Sequence, residues 1–183
     1  MKLLATAFAL TLFAATASAQ GPAGPPPPPE DGSTAKLITE AMAGYTQIKV
    51  IILASAEKMP AENFSFKPTP AIRSYAELFT HVAQPQNALC NAPGAGRPAP
   101  VTATTKEDVI AAVKASFDKC DAAFAMVTEA NAMNISGAGF MRGSKVGLIS
   151  KDVIHDNEMY GQMVVYMRMK GIVPPSTAMR NRM

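Results

Sequence analysis

Residues 144–170, SKVGLISKDVIHDNEMYGQMVVYMRMK, decide how this chain folds. Gly171 and the pair Pro174-Pro175 stop the segment sharply, because glycine accepts the left-handed conformation that closes a helix and proline cannot continue one. Inside it, Leu148, Asp152, His155, Met159, Gln162, Tyr166 and Met169 share one 3-4 face, and four of these seven are charged or polar. A polar group in a core costs on the order of 1–3 kcal/mol unless it finds a partner, so a seam that accepts several is expected to enclose a site. The neighbouring register, Ile149, Val153, Tyr160, Met163 and Met167, is nearly all apolar and reads equally as a core face. On that second register His155 lies at the helix edge, toward solvent.

Working outward, three more amphipathic segments precede this one. Ile38, Ala41, Tyr45, Ile48, Ile52 and Met59 fall on one helical face, interrupted by Ser55, with Ser33 or Thr34 as cap and Pro60 as stop. Residues 60–73, PAENFSFKPTPAIR, make a long crossover loop that Phe64 and Phe66 pin to the core. A second helix begins near Ser74 and turns Tyr75, Leu78, Val82 and Leu89 inward. Its Pro85 cannot donate to the carbonyl of His81, which predicts a kink or local opening beside that histidine. Residues 93–100, PGAGRPAP, are loop. In the third helix Thr105 and Asp108 form a capping-box pattern, and Ile110, Val113, Phe117, Cys120, Phe124 and Val127 keep strict spacing toward an end near Asn131. MNISGAGFMRG, residues 133–143, reads as a mobile glycine-rich linker. With no strand-like alternation of useful length and no internal repeat, the predicted fold is all-α, a four-helix bundle with long crossover loops over residues 34–176.

The flanks carry different information. Lys2, the apolar run Leu3 to Ala15 and Ala17-Ser18-Ala19 make residues 1–19 a secretory signal peptide, so the expected location is periplasmic or secreted. Residues 20–33, QGPAGPPPPPEDGS, form a proline-rich tether, and residues 177–183 a solvated tail. Removing Lys2 from the 17 basic residues leaves 16 against 14 acidic ones, too even a balance to steer nucleic acid. No stretch after the leader reaches the roughly 18 uninterrupted apolar residues of a membrane span. Two cysteines, Cys90 and Cys120, are expected to pair in an oxidising compartment; the alternative is two buried thiols. G-x-S-x-G, H-E-x-x-H and phosphate-binding glycine loops are all missing, so catalysis would have to be metal-assisted.

Two stretches resemble a known family. HDNEMYGQMVVYMRMKGIVPPS, residues 155–176, resembles the closing helix of the DinB superfamily, in which a His-x-x-x-His pair precedes Tyr-Gly, Tyr-x-Arg and Gly-x-x-Pro-Pro. SFKPTPAIRSYAELFTHVA, residues 65–83, is similar to the start of that family's second helix, whose histidine is the third ligand. The resemblance implies a bundle holding a divalent metal, usually zinc or nickel, on three histidines, with a metal hydrolase or thiol-dependent transferase activity in some members. It maps the second-helix ligand onto His81 and the first of the closing pair onto His155. Met159 stands where the second belongs, and a thioether is a poor ligand for zinc or nickel.

Three readings follow. A carboxylate, Asp152, Glu158 or Glu77, completes the metal site, with Met159, Asp152, Gln162 and Tyr166 lining a pocket for a small molecule. Alternatively the site is lost, and the bundle persists as a binding or scaffold protein, a homodimer in this reading. In the third, His81, His155, Met159 and Met163 hold Cu(I). The 12 methionines favour copper less than they seem to, since methionine at helical spacing is ordinarily core filler. Tyr166 either aims its hydroxyl at the pocket or packs its ring and bonds one buried acceptor. Gly161, costing about 1 kcal/mol against alanine inside a helix, points to a closely approaching neighbour.

Overall fold

The computed structural model describes residues 32–91 and 96–180. The expected signal peptide at 1–19 and the tether up to residue 31 lie outside the described residues. Four long helices dominate: α1 (Thr34–Lys58), α2 (Tyr75–Leu89), α3 (Lys106–Ala125) and α4 (Lys145–Met169). Each opens on a hydroxyl that accepts a hydrogen bond from the first turn: Ser33 from Lys36, Ser74 from Glu77, Thr105 from Asp108 and Ser144 from Gly147. Such caps satisfy amides that the helix itself leaves unpaired. At α2 the cap is reciprocal, since the Glu77 carboxylate accepts from the Ser74 amide.

α1 packs mainly on α4 and α3, and α2 on α3 and α4, so the order around the shared core is α1, α4, α2, α3. α1 and α2 therefore sit diagonally, as do α3 and α4, which is what the long connections between them permit, while α2 and α3 are neighbours. Tyr45, Ile52, Phe79, Val113, Phe117, Ile149, Met163 and Met167 fill the interior. α1 is apolar enough, at a hydropathy of 1.3 over its 18-residue window, to meet a membrane-span test of length and composition, yet its Tyr45, Ile48, Ile52 and Ser55 are core. Ser55, the break in the apolar series, is satisfied locally: its hydroxyl donates to the Ile51 carbonyl, and its own carbonyl accepts from Tyr75.

Several expectations change. α3 ends at Ala125, six positions before Asn131, because the Asn131 side chain accepts from the Thr128 amide and donates to the Met126 carbonyl, building a turn there. The glycine-rich linker contains a small antiparallel hairpin, β1 (Ile135–Ser136) with β2 (Gly143–Ser144). Gly137 has φ 73°, and a Cβ there would lie 2.1 Å from the Met141 carbonyl oxygen, so glycine is required. Pro174-Pro175 does stop α4, but Pro175 then starts a short helix, α5 (Pro175–Arg180), where its missing amide costs nothing. The tail is thus helical to Arg180, and the Tyr160 hydroxyl donates to Ser176 Oγ at 2.7 Å. Lys170 caps the ring of Phe66 at 3.8 Å. A Cβ on Gly161 would meet nothing within 4 Å, so no neighbouring helix among the described residues explains that glycine.

Both proposed faces of α4 contribute buried residues, and the central line runs between them. Ile149, Asp152, Asp156, Met159, Met163 and Tyr166 are all 6% exposed or less. His155 keeps 27% of its side chain exposed, and Met169 faces solvent.

Candidate functional site

The two histidines meet. His81 on α2 and His155 on α4 place their ring centroids 5.3 Å apart, tilted by 56°. Both open onto a pocket of about 450 Å³ between α2, α4 and two connecting segments. α2 supplies Gln84, Pro85 and Ala88, the loop after it Arg97 and Pro98, the hairpin Met141, and α4 Lys151. α2 is continuous from Tyr75 to Leu89 with Pro85 inside it. Proline still leaves the His81 carbonyl without its usual donor, on the wall that forms the pocket.

The electrostatics separate this pocket from the core behind it. Burial, with the positive charge of Arg73 and then His155, lowers the pKa of His81, while Glu158 opposes the shift. His81 is therefore neutral at pH 7. His155 Nδ1 lies 3.3 Å from Asp156 Oδ1, a contact that orients the imidazole.

Behind His155 is a feature the sequence reading passed over. Gln86 Nε2 donates to Asp156 Oδ2 at 2.8 Å and approaches Asp152 Oδ2 at 3.5 Å, while Ser116 donates to Gln86 Oε1 at 2.7 Å. All four side chains are buried. Burial, reinforced by Asp156, pushes the Asp152 carboxyl up to about 8 despite the Gln86 amide. Burial raises Asp156 as well, against its bonds to His155 and Gln86. At neutral pH the pair therefore retains a proton. No buried side-chain nitrogen or oxygen among the described residues lacks a partner. The available signal was the i, i+4 spacing of Asp152 and Asp156, which joins a member of the first register to the position left out of the second between Val153 and Tyr160.

The remaining candidates lie elsewhere. None of Asp152, Met159, Gln162 and Tyr166 is among the pocket walls. Met159 is buried with Sδ 4.0 Å from Gln162 Nε2, and Met163 is in the core. Gln162 borders a separate surface hollow with Lys67, Arg73 and Glu77. The Tyr166 hydroxyl donates to the Arg73 carbonyl at 2.6 Å, and burial raises its pKa. That is the packing role. Glu77 is held by its helix cap and by Lys67 at 3.0 Å; the Ser74 amide, then Lys67, lower its pKa to about 2. Cys90 and Cys120 are joined by a disulfide between the end of α2 and α3, a bond that suits an oxidising compartment.

Tested as a metal centre, the donor set falls short. Among the described residues no three His, Cys, Asp or Glu side chains come together as potential ligands. Of the three carboxylates considered as third ligand, Asp152 is held in the core with Gln86 and Glu77 at its cap, while Glu158 is exposed.

Neither family models nor curated proteins give a match to this sequence. Among solved structures, the crystal structure of a DinB-like protein from Bacillus cereus ATCC 10987 is similar in fold, with a TM-score of 0.64. The likeness covers 75% of this chain and 95% of that one at 15% identity. The chain therefore has a DinB-like fold, as the two stretches of sequence implied.

Proposed function

We propose that this protein is an exported four-helix bundle that binds a small molecule in the pocket at His81 and His155, and that it does so without a three-ligand metal centre. The observation that carries this reading is the meeting of the chain's two histidines on one open pocket, backed by a buried polar network with every partner in place. A pocket of about 450 Å³ lies within the roughly 300–1,000 Å³ that small-molecule sites occupy. Two imidazoles, one neutral and one oriented by a carboxylate, supply hydrogen-bonding groups that fix a ligand's orientation. Among the described residues the zinc or nickel reading lacks its third donor, and copper would need thioethers that are packed against Gln162 and in the core. Export is supported by the leader-like sequence together with the disulfide.

A thermal-shift screen of small organic compounds on the mature protein tests the proposal. A ligand at 100 times its Kd stabilises the fold by about 2.7 kcal/mol, readily visible in Tm. His81→Ala should abolish that shift. A Tm raised by zinc or nickel to the same extent, and lost on His81→Ala, would instead restore the metal reading.

A further inference from the structure

We infer that the ligand is an anionic amphiphile, a carboxylate on an apolar body. The inference rests on the small-molecule reading above and specifies what that molecule is. Arg97, from the loop after α2, and Lys151, one turn before His155 on α4, bring two positive charges to the pocket, and no Asp or Glu is among its walls. Beyond the rim, Arg73 and Glu158 act on His81 with opposite signs, Arg73 the more strongly. The acids nearest to His155 from behind, Asp156 and its partner Asp152, are buried. Apart from the histidines, the charged side chains in the walls are thus both cationic, Lys151 also donating to the Arg142 carbonyl at 3.4 Å.

The rest of the wall is largely carbon. Pro85 and Ala88 on one side and Pro98 and Met141 on the other offer an apolar slot beside the cationic pair. Desolvating an anion is favourable only against fixed opposite charge, and an apolar tail gains in proportion to the surface it hides, so one molecule with both parts satisfies both walls. At roughly 30 Å³ per heavy atom, the share of one water in the liquid, a volume of about 450 Å³ admits up to roughly 15 such atoms. A ten-carbon fatty acid fits that limit.

Isothermal titration of the mature protein with decanoate, 1-decanol and decyltrimethylammonium, each below its aggregation concentration, distinguishes the possibilities. Decanoate should bind at least about tenfold more tightly than the cation. Arg97→Gln and Lys151→Gln should each weaken decanoate by about three- to fivefold, the upper range for partly exposed ion pairs, with far-UV circular dichroism unchanged. Ala88→Trp, at an exposed wall position, should block it. Equal binding of all three compounds, or preference for the cation, would overturn the anionic assignment while leaving the pocket reading intact. So would decanoate affinity unmoved by both charge variants. No ligand for the pocket in either this titration or the wider screen would overturn both.

Discussion

Replacing Asp152 with asparagine tests the buried carboxylate pair. Asp152 is 3% exposed, and its carboxyl moves from 3.8 in the unfolded chain to about 8 in the fold. Between those values the folded chain keeps a proton that the unfolded chain has lost. The stability tied to this group is therefore fully present below pH 3.8 and is lost as pH rises through about 8. Asp156, also raised, acts with the same sign. His81 acts oppositely: its lowered pKa gives a contribution present above 6.5 and lost as pH falls, so a scan upward from that point isolates the carboxylates. At about 1.4 kcal/mol per pH unit for one proton, the loss between pH 6.5 and 8 should be on the order of 1–2 kcal/mol. Urea unfolding followed by far-UV circular dichroism measures it. Asp152→Asn is nearly isosteric with the protonated acid, so it should cost under about 1 kcal/mol at the lower pH and cut the pH-dependent loss by half or more. Wild-type stability that is flat or rises over this interval, or a variant with the wild-type slope, would refute the reasoning.

Two further outcomes are expected. Cys90→Ser with Cys120→Ser opens a loop with a sequence separation of 30, which should lower unfolding free energy by about 3–4 kcal/mol in the chain-entropy treatment; equilibrium unfolding of the double variant against the oxidised protein reads this directly. Met159→His places an imidazole one turn after His155, where the family resemblance puts the second histidine of the closing pair, and should raise zinc affinity about 100-fold or more on titration against a chromogenic chelator. No gain would mean that the two native imidazoles do not converge on a common point.

The helices were legible because their signals are local: a hydroxyl cap, a 3-4 apolar series, a proline or glycine stop. Ser74, Thr105 and Ser144 cap where the sequence invites a cap. What escaped depends on packing. Asp156 looks like one more charged residue in KDVIHDNE, and only the arrival of Gln86 from α2 and Ser116 from α3 makes it a core residue. A helix covered on two sides has no single apolar face, so choosing between adjacent registers missed the line between them. Asn131 and the Gly137 hairpin depend on turn geometry at particular atoms, which spacing does not encode. The histidine pair was readable from the family-like stretches, whereas the pocket's walls, drawn from two loops, were not.

Because the chain has only two histidines, their imidazole signals report on the pocket without ambiguity. Two-dimensional proton–carbon spectra of the mature protein should be recorded while titrating the compound that most raises its Tm. The account predicts that the His81 and His155 ring signals move together, saturating with the Kd found by calorimetry. Stabilisation by that compound with both imidazoles unmoved would contradict it, placing the ligand away from the α2–α4 pocket.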